Sequence, residues 1–274
     1  MRINHNLPAM NTQRQLSINN NEVAKSTERL SSGLKINRAG DDAAGLSISE
    51  KMRSQIRGLD TASRNAQDGI SMIQTAEGSL NETHDILQRM RELAVQSAND
   101  TNVSVDRTAL NKEFGQLSNE LVRISANTDF NTQILLDGSI SAINLQVGAN
   151  SGQTITVSLS VTGVSLSSVT ASTAAMTLAN QSDSSAAITG INTQILAVSA
   201  GRSYLGAMQN RLEHTIKNLD NSSENTSAAE SRIRDVDMAK EMMALSKNNI
   251  LQQAAQAMLA QANQAPQGVL QLLR

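Results

Sequence analysis

The chain contains no cysteine. A disulfide framework and a thiolate-held metal centre are therefore both excluded. Aromatic side chains are almost as scarce, with Phe114, Phe130 and Tyr204 the only three in 274 residues. Compact cores draw much of their buried area from such rings. Their scarcity, beside plentiful Ala, Gln, Asn and Ser, suits thin helical layers better than one thick core. Proline stands only at Pro8 and Pro266, so the strongest helix breaker is missing from everything between. A basic excess is missing too. The net charge of −2 argues against a general nucleic-acid binder, which would carry a positive surplus. The opening residues hold no apolar run resembling a signal-peptide core, and no later stretch is long and apolar enough for a transmembrane helix. We expect neither membrane insertion nor the usual secretory signal.

What the chain does have is helical periodicity. Met52, Leu59, Ala66, Ile73, Leu80, Leu87 and Ala94 recur every seven residues, and Ile56 and Ile70 start a second row four residues after Met52 and Ala66. This predicts a single helix over 47–98, about 75–80 Å long at about 1.5 Å per residue. The second row is broken by Ser63, Glu77, His84 and Arg91. Gly58, Gly69 and Gly78 would each cost up to about 1 kcal/mol relative to Ala. A bundle of several long helices with close small-residue contacts fits better than a two-stranded coiled coil.

Further helices are predicted over about 104–127 and about 185–222, the latter from the stripe Ile188, Ile191, Ile195, Val198, Leu205, Met208, Leu212, Ile216 and Leu219. Between them the composition changes. Residues 124–201 hold no Lys or Arg, and residues 151–190 are rich in Ser and Thr. There Ile143, Leu145 and Val147 alternate with polar residues, as do Ile155, Val157, Leu159 and Val161, with GANSGQ supplying turn residues. This predicts a β-hairpin near 143–161. Residues 162–184 show no clear period and read as a surface loop or a small exposed β element. Their Ser/Thr richness suits an outer surface.

The segment RLSSGLKINRAGDDAAGLSISEKM, residues 29–52, separates two helical stretches. Ser47-Ile48-Ser49-Glu50 matches a capping box, which would start the long helix near Ser47. Asp41 and Asp42 would then lie near its positive end, and Gly40 and Gly45 would supply the backbone freedom for a change of direction. A paired-carboxylate catalytic site lacks a histidine or other partner close by. The segment is a joint. Upstream, Ala9, Leu16, Val23 and Leu30 form another seven-residue series. Downstream, residues 235–263 carry Met238, Met242, Met243, Leu245, Ile250, Leu251, Met258 and Leu259, which do not fall on one helical face. A helix apolar on several faces needs cover on several sides, and neighbouring copies of this chain are the expected source.

The fold class is thus mainly α: a long antiparallel, coiled-coil-like helical bundle built from both chain ends, with a small β-hairpin near the middle. The expected domains are an inner pair, 1–44 with 232–274, disordered before assembly, and a rod-like domain over 45–231 with a Ser/Thr-rich tip at 162–184.

Five stretches carry a family resemblance: MRINHNLPAMNTQRQL, the joint segment, AQDGISMIQTAEGSLNETHDILQRMRELAVQSAN, LGAMQNRLEHTIKNLDNSSENTSAAESRIRDVDMAKEM and AQAMLAQANQAPQGVLQLLR. In order and at both ends, they resemble the bacterial flagellins over about 1–140 and 190–274. The resemblance implies a secreted, extracellular subunit of the flagellar filament, a helical homopolymer serving motility. It implies export, with a chaperone, through the flagellar type III apparatus, and polymerisation beside filament-cap and hook-junction proteins. The joint then corresponds to the family's spoke, with Gly33, Arg38, Gly40, Asp41, Asp42 and Gly45 as its candidate residues. Polymerisation is expected to use Leu16, Val23, Leu30, Met243, Ile250, Leu251, Met258, Leu259, Leu270 and Leu273. Host innate immune receptors are implied partners: Arg89, Leu93 and Glu113 match the patch read by a Toll-like receptor, and residues 28–49 match a segment read by a plant receptor kinase. Pro8 departs from the family, where many members carry Ala. Because proline is accepted in a first turn, the terminal helix is expected to start near residue 7 or to be locally distorted.

No enzyme constellation accompanies this. His5, His84 and His214 are far apart, and neither H-E-x-x-H, a phosphate loop nor G-x-S-x-G occurs. No cofactor or metal is expected. The alternatives are a hook–filament junction protein of the same superfamily and, from another class, a coiled-coil signalling receptor, which would need a membrane anchor or sensor domain.

Overall fold

The computed structural model describes the backbone of residues 6–272 and the side chains of residues 6–264. His5 and Leu273 lie outside the described residues, and Leu270 outside the described side chains. Among the described residues, six helices and two small strand pairs follow in the order α1 (Leu7–Ser32), α2 (Ala43–Ser97), α3 (Ser104–Asn127), β1 (Asp129–Phe130), β2 (Gln133–Ile134), β3 (Ala142–Gln146), β4 (Thr154–Ser158), α4 (Ser167–Ala174), α5 (Gln181–Arg234) and α6 (Met238–Leu272). The chain divides into two compact units. One takes residues up to 55 and from 225 onward, and the other is residues 56–224.

Within 56–224, the predicted heptad row lies inside: Leu59, Ala66, Ile73, Leu80, Leu87 and Ala94 are all buried. The second row differs from the expectation. Ile56 and Ile70 are half-buried, whereas Ala62, Gly69, Ala76, Thr83, Met90 and Ser97, three residues after each member of the first row, are buried. These residues are mostly small, so neighbouring elements come close. A Cβ on Gly58 would stand 2.8 Å from the Ala149 Cβ, and one on Gly69 would strike the Leu145 side chain. The buried hydroxyls find backbone acceptors, one within the helix and one on a distant segment. Thr83 Oγ1 donates to the Ser79 carbonyl at 2.9 Å, and Ser97 Oγ to the Leu178 carbonyl at 3.1 Å.

The β-hairpin forms where expected, as β3 and β4, with Ile143 opposite Val157 and Leu145 opposite Ile155. Ile155, Val157 and Leu159 are buried, and the Ser158 N–H donates to the Tyr204 hydroxyl at 3.0 Å. A second hairpin joins β1 to β2 through Asn131 and Thr132, whose φ angles are 51° and 65°. Residues 162–184 are not a surface loop or an exposed β element. They contain α4, and Val164, Leu166, Val169 and Leu178 are fully buried. The Leu166 N–H donates to the Leu136 carbonyl at 2.8 Å, and the Leu178 N–H to Asn111 Oδ1 at 2.9 Å. Small Ala, Ser and Thr between these few apolar anchors hide the pattern in sequence.

Helix α5 is longer than its apolar stripe, running unbroken to Arg234. Near the edge of this unit Leu59 and Leu219 pack together, flanked by hydrogen bonds from Ser63 to Asp220 (3.1 Å) and from Ser223 to Asp60 (2.8 Å). Elsewhere on α5, the backbone of Gly201 lies against that of Gly163, so a Cβ on either would collide with main-chain atoms. Gly163 also has φ +88°, which only glycine adopts without strain.

Candidate assembly surface and joint

Helix α1 starts at Leu7 because Asn6 Oδ1 accepts from the Ala9 N–H at 3.2 Å, and Pro8 sits in the first turn, where no N–H is needed. Of the two outcomes expected for Pro8, the structure has the start at residue 7. α1 and α6 run antiparallel. Asn6 Nδ2 donates to the Ala262 carbonyl at 2.7 Å, Gln252 Nε2 to Asn20 Oδ1 at 2.8 Å, and Arg29 lies 3.9 Å from Glu241.

Two helices cannot cover each other on all sides. Ser26 is the one buried residue of α1, and α6 has none among its described side chains. Of the residues expected to polymerise, Leu16, Val23, Leu30 and Leu259 are half-buried. Met243, Ile250, Leu251 and Met258 stay exposed, Met243 by 67% and Ile250 by 65%. Sequence periodicity missed Leu7, Met10 and Ile18, which are exposed on α1. A groove of about 840 Å³ runs past Met10, Gln13, Ile18 and Leu259.

The joint is organised differently from the capping-box expectation. α2 begins at Ala43, and its cap is Asp42, whose Oδ1 accepts from the Gly45 N–H at 2.8 Å. Ser47 is exposed, and Ser49 donates to the Leu46 carbonyl instead. The capping match at 47–50 fails because Asp42 supplies an equivalent oxygen one turn earlier. Asp41 Oδ2 accepts from the N–H groups of Arg38 (3.0 Å) and Asn37 (3.2 Å). These donors hold its carboxyl below the ordinary aspartate value. Arg38 pairs with Glu28 at 3.0 Å.

The backbone freedom comes from Gly33, which ends α1 at φ 72°, and not from Gly40 or Gly45. Gly45 is needed for space: a Cβ there would stand 2.8 Å from Ile36 Cδ1. The joint also has a partner that no local pattern announces. Leu34 bridges Asp235, the Lys35 N–H donates to the Arg234 carbonyl at 2.6 Å, and the Val236 N–H donates to the Gly33 carbonyl at 3.0 Å. The connector after α1 is thus hydrogen-bonded to the connector before α6.

In the other unit, Arg89 donates to Glu113 at 2.8 Å and to Glu92 at 3.0 Å on the surface. Leu93 is 1% exposed and belongs to the core beneath them. The three residues expected as one receptor patch therefore divide into a surface ion pair and an interior leucine. Among the described residues no group of three or more acidic, His or Cys side chains is arranged to hold a metal ion, and no helix is long and apolar enough to cross a membrane.

Comparison with known proteins agrees with this architecture at both ends. The bacterial flagellin N-terminal helical region matches residues 3–141, and the bacterial flagellin C-terminal helical region matches residues 188–273. A flagellin of Halalkalibacterium halodurans is 66% identical, and one of Bacillus subtilis 52%, each alignment covering the whole of both chains. The crystal structure of Bacillus cereus flagellin is similar at 32% identity with a TM-score of 0.52, over 61% of this chain and 94% of that one. A putative flagellar hook-associated protein from Vibrio parahaemolyticus gives a TM-score of 0.59 at 12% identity, over 71% of this chain and all of that one, a likeness of fold alone. With both terminal regions matched and relatives aligned end to end, the chain belongs to the bacterial flagellin family.

Proposed function

We propose that the chain is the structural subunit of an extracellular flagellar filament, serving motility and not catalysis. Copies polymerise through the α1–α6 hairpin. The observation that carries this is the outward apolar surface of that hairpin: Met10, Ile18, Met243, Ile250 and Met258 are each 47–67% exposed in the isolated chain. Fully burying a side chain of this kind contributes about 1.5–3 kcal/mol. A handful of them per subunit is enough to drive association of copies.

On this reading residues 1–44 and 232–274 form a terminal-helix domain that orders on assembly, and 45–231 the second domain. The joint residues Gly33, Arg38, Asp41 and Asp42 hold the turn between terminal and long helices. Export through the type III apparatus with a chaperone, and growth beside cap and hook-junction proteins, belong to the same proposal. So does recognition by innate immune receptors, for which Arg89 and Glu113 are the accessible members of the candidate patch. Full-length identity to flagellins supports a filament subunit over a hook–filament junction protein.

The test is seeded growth. Purified chain is mixed with short filament seeds and elongation is followed by electron microscopy, beside Ile250→Asp and Met243→Asp variants. The full chain is expected to extend the seeds. The variants are expected to need at least about tenfold more protein, consistent with losing about 1.5–3 kcal/mol of burial per site. Elongation by the variants at the unsubstituted rate would remove α6 from the interface, and seeds that never grow would favour the junction-protein reading.

A further inference from the structure

The methionines are sorted by element, with Met52 on α2 half-buried. In residues 56–224, Met72, Met90 and Met208 are 4%, 0% and 6% exposed, and Met176 is half-buried. On α1 and α6 the order is reversed: Met10 is 63% exposed, Met238 49%, Met242 51%, Met243 67% and Met258 55%. Among the described residues, these five are the only exposed methionines, and all lie on the two terminal helices. Met238 and Met242 stand one helical turn apart, with Met243 beside them. The chain has no cysteine or tryptophan to compete for an oxidant.

We propose that these five thioethers form an oxidation site that controls assembly. In the free chain hydrogen peroxide converts them to sulfoxides. One peroxide oxygen is transferred to sulfur as the O–O bond breaks, the sulfur is oxidised by two electrons, and the peroxide leaves as water. Each product side chain is polar and carries a strong acceptor in place of an apolar sulfur. Placed in an interface built from Ile250, Leu251 and Leu259, that acceptor has no donor and loses its water. The modified chain therefore does not add to a filament. Once a subunit is incorporated, neighbouring copies cover the same sulfurs and the reaction slows. Oxidation thus selects at the growing end and spares the finished polymer. The inference rests on the assembly reading above.

The experiment treats the full chain with hydrogen peroxide, maps sulfoxides by peptide mass spectrometry, and measures seeded elongation before and after. A companion chain carries Leu at positions 10, 238, 242, 243 and 258, a change that keeps volume and apolarity. The wild-type chain is expected to oxidise first at these five sites, to elongate at least about tenfold more slowly afterwards, and to recover when methionine sulfoxide reductases and a thiol reductant restore the thioethers. The Leu chain is expected to elongate equally before and after peroxide, and preformed filaments to oxidise at these sites at least about fivefold more slowly than free chain. If oxidised wild type elongates as fast as untreated chain, or the Leu chain is inhibited equally, or filament and free chain oxidise alike, the proposal is overturned while the assembly reading stands. Untreated wild type that fails to extend seeds overturns both.

Discussion

Arg53 Nε donates to Glu230 Oε1 at 2.7 Å, joining α2 to α5 across 177 positions of sequence. Glu230 is 8% exposed, so the guanidinium is what makes a carboxylate tolerable there. Arg53→Ala should destabilise the chain by about 1–3 kcal/mol, because the acceptor is left without its charged donor. Urea denaturation followed by circular dichroism reads this directly. Combining it with Glu230→Ala should cost less than the two single changes added together. Strict additivity would mean that the pair is not coupled.

Two glycines of α5 should respond in opposite directions. A Cβ on Gly206 meets nothing within 4 Å, so Gly206→Ala should stabilise by up to about 1 kcal/mol through helix propensity. Gly201 lies against the backbone of Gly163. Gly201→Ala should lose about 2–3 kcal/mol despite the same propensity gain. Thermal midpoints that move the same way for both would contradict the close approach.

The turn between β1 and β2 places Thr132 at φ 65°, a left-handed conformation that a β-branched residue adopts only with strain. Thr132→Gly relieves it and should raise stability by about 1 kcal/mol after the added freedom of glycine in the unfolded chain. An unchanged or lower urea midpoint would show that the turn is held by something other than local geometry.

Acid should loosen the joint. The Arg38 and Asn37 amides lower the Asp41 pKa from its ordinary value of 3.8. The stabilisation is therefore fully present above that value and is lost as pH falls through the lower, folded one. A carbon-detected titration should place the Asp41 midpoint below 3.8, and Asp41→Ala should abolish the acid-dependent shift of the Arg38 amide. A midpoint at or above the ordinary value would mean that the two hydrogen bonds do not persist in solution.

The long helix, the hairpin and the apolar ends were legible because their side chains alternate or recur in large apolar types. The second row of α2 was not. It consists of Ala62, Gly69, Ala76, Thr83 and Ser97 around one large residue, Met90, and a search for apolar periodicity passes over small polar types. Helix α4 escaped for the same reason. The last turns of α5 were missed because Asn221, Ser222, Ser223, Glu224 and Asn225 carry no stripe to follow. The joint was recognisable as a break, but its cap was misplaced by one turn. Its pairing with residues 234–236 is a long-range contact with no local signature. At the candidate receptor patch, motif matching grouped three residues, and packing separated Leu93 from the other two.

The hydrogen bond from Asn6 to the carbonyl of Ala262 spans 256 positions, which bears on the order in which the chain closes. Closing so large a loop from an open chain costs about 5 kcal/mol of entropy, before two sparsely buried helices return anything. Once Leu59 has met Leu219, and Arg53 has met Glu230, most of that closure is already made. Loop entropy alone therefore favours a terminal hairpin that zips last, outward from the paired connectors at Leu34 and Asp235. A chain built this way finishes its interior first and leaves its two ends as the final, most easily reversed step.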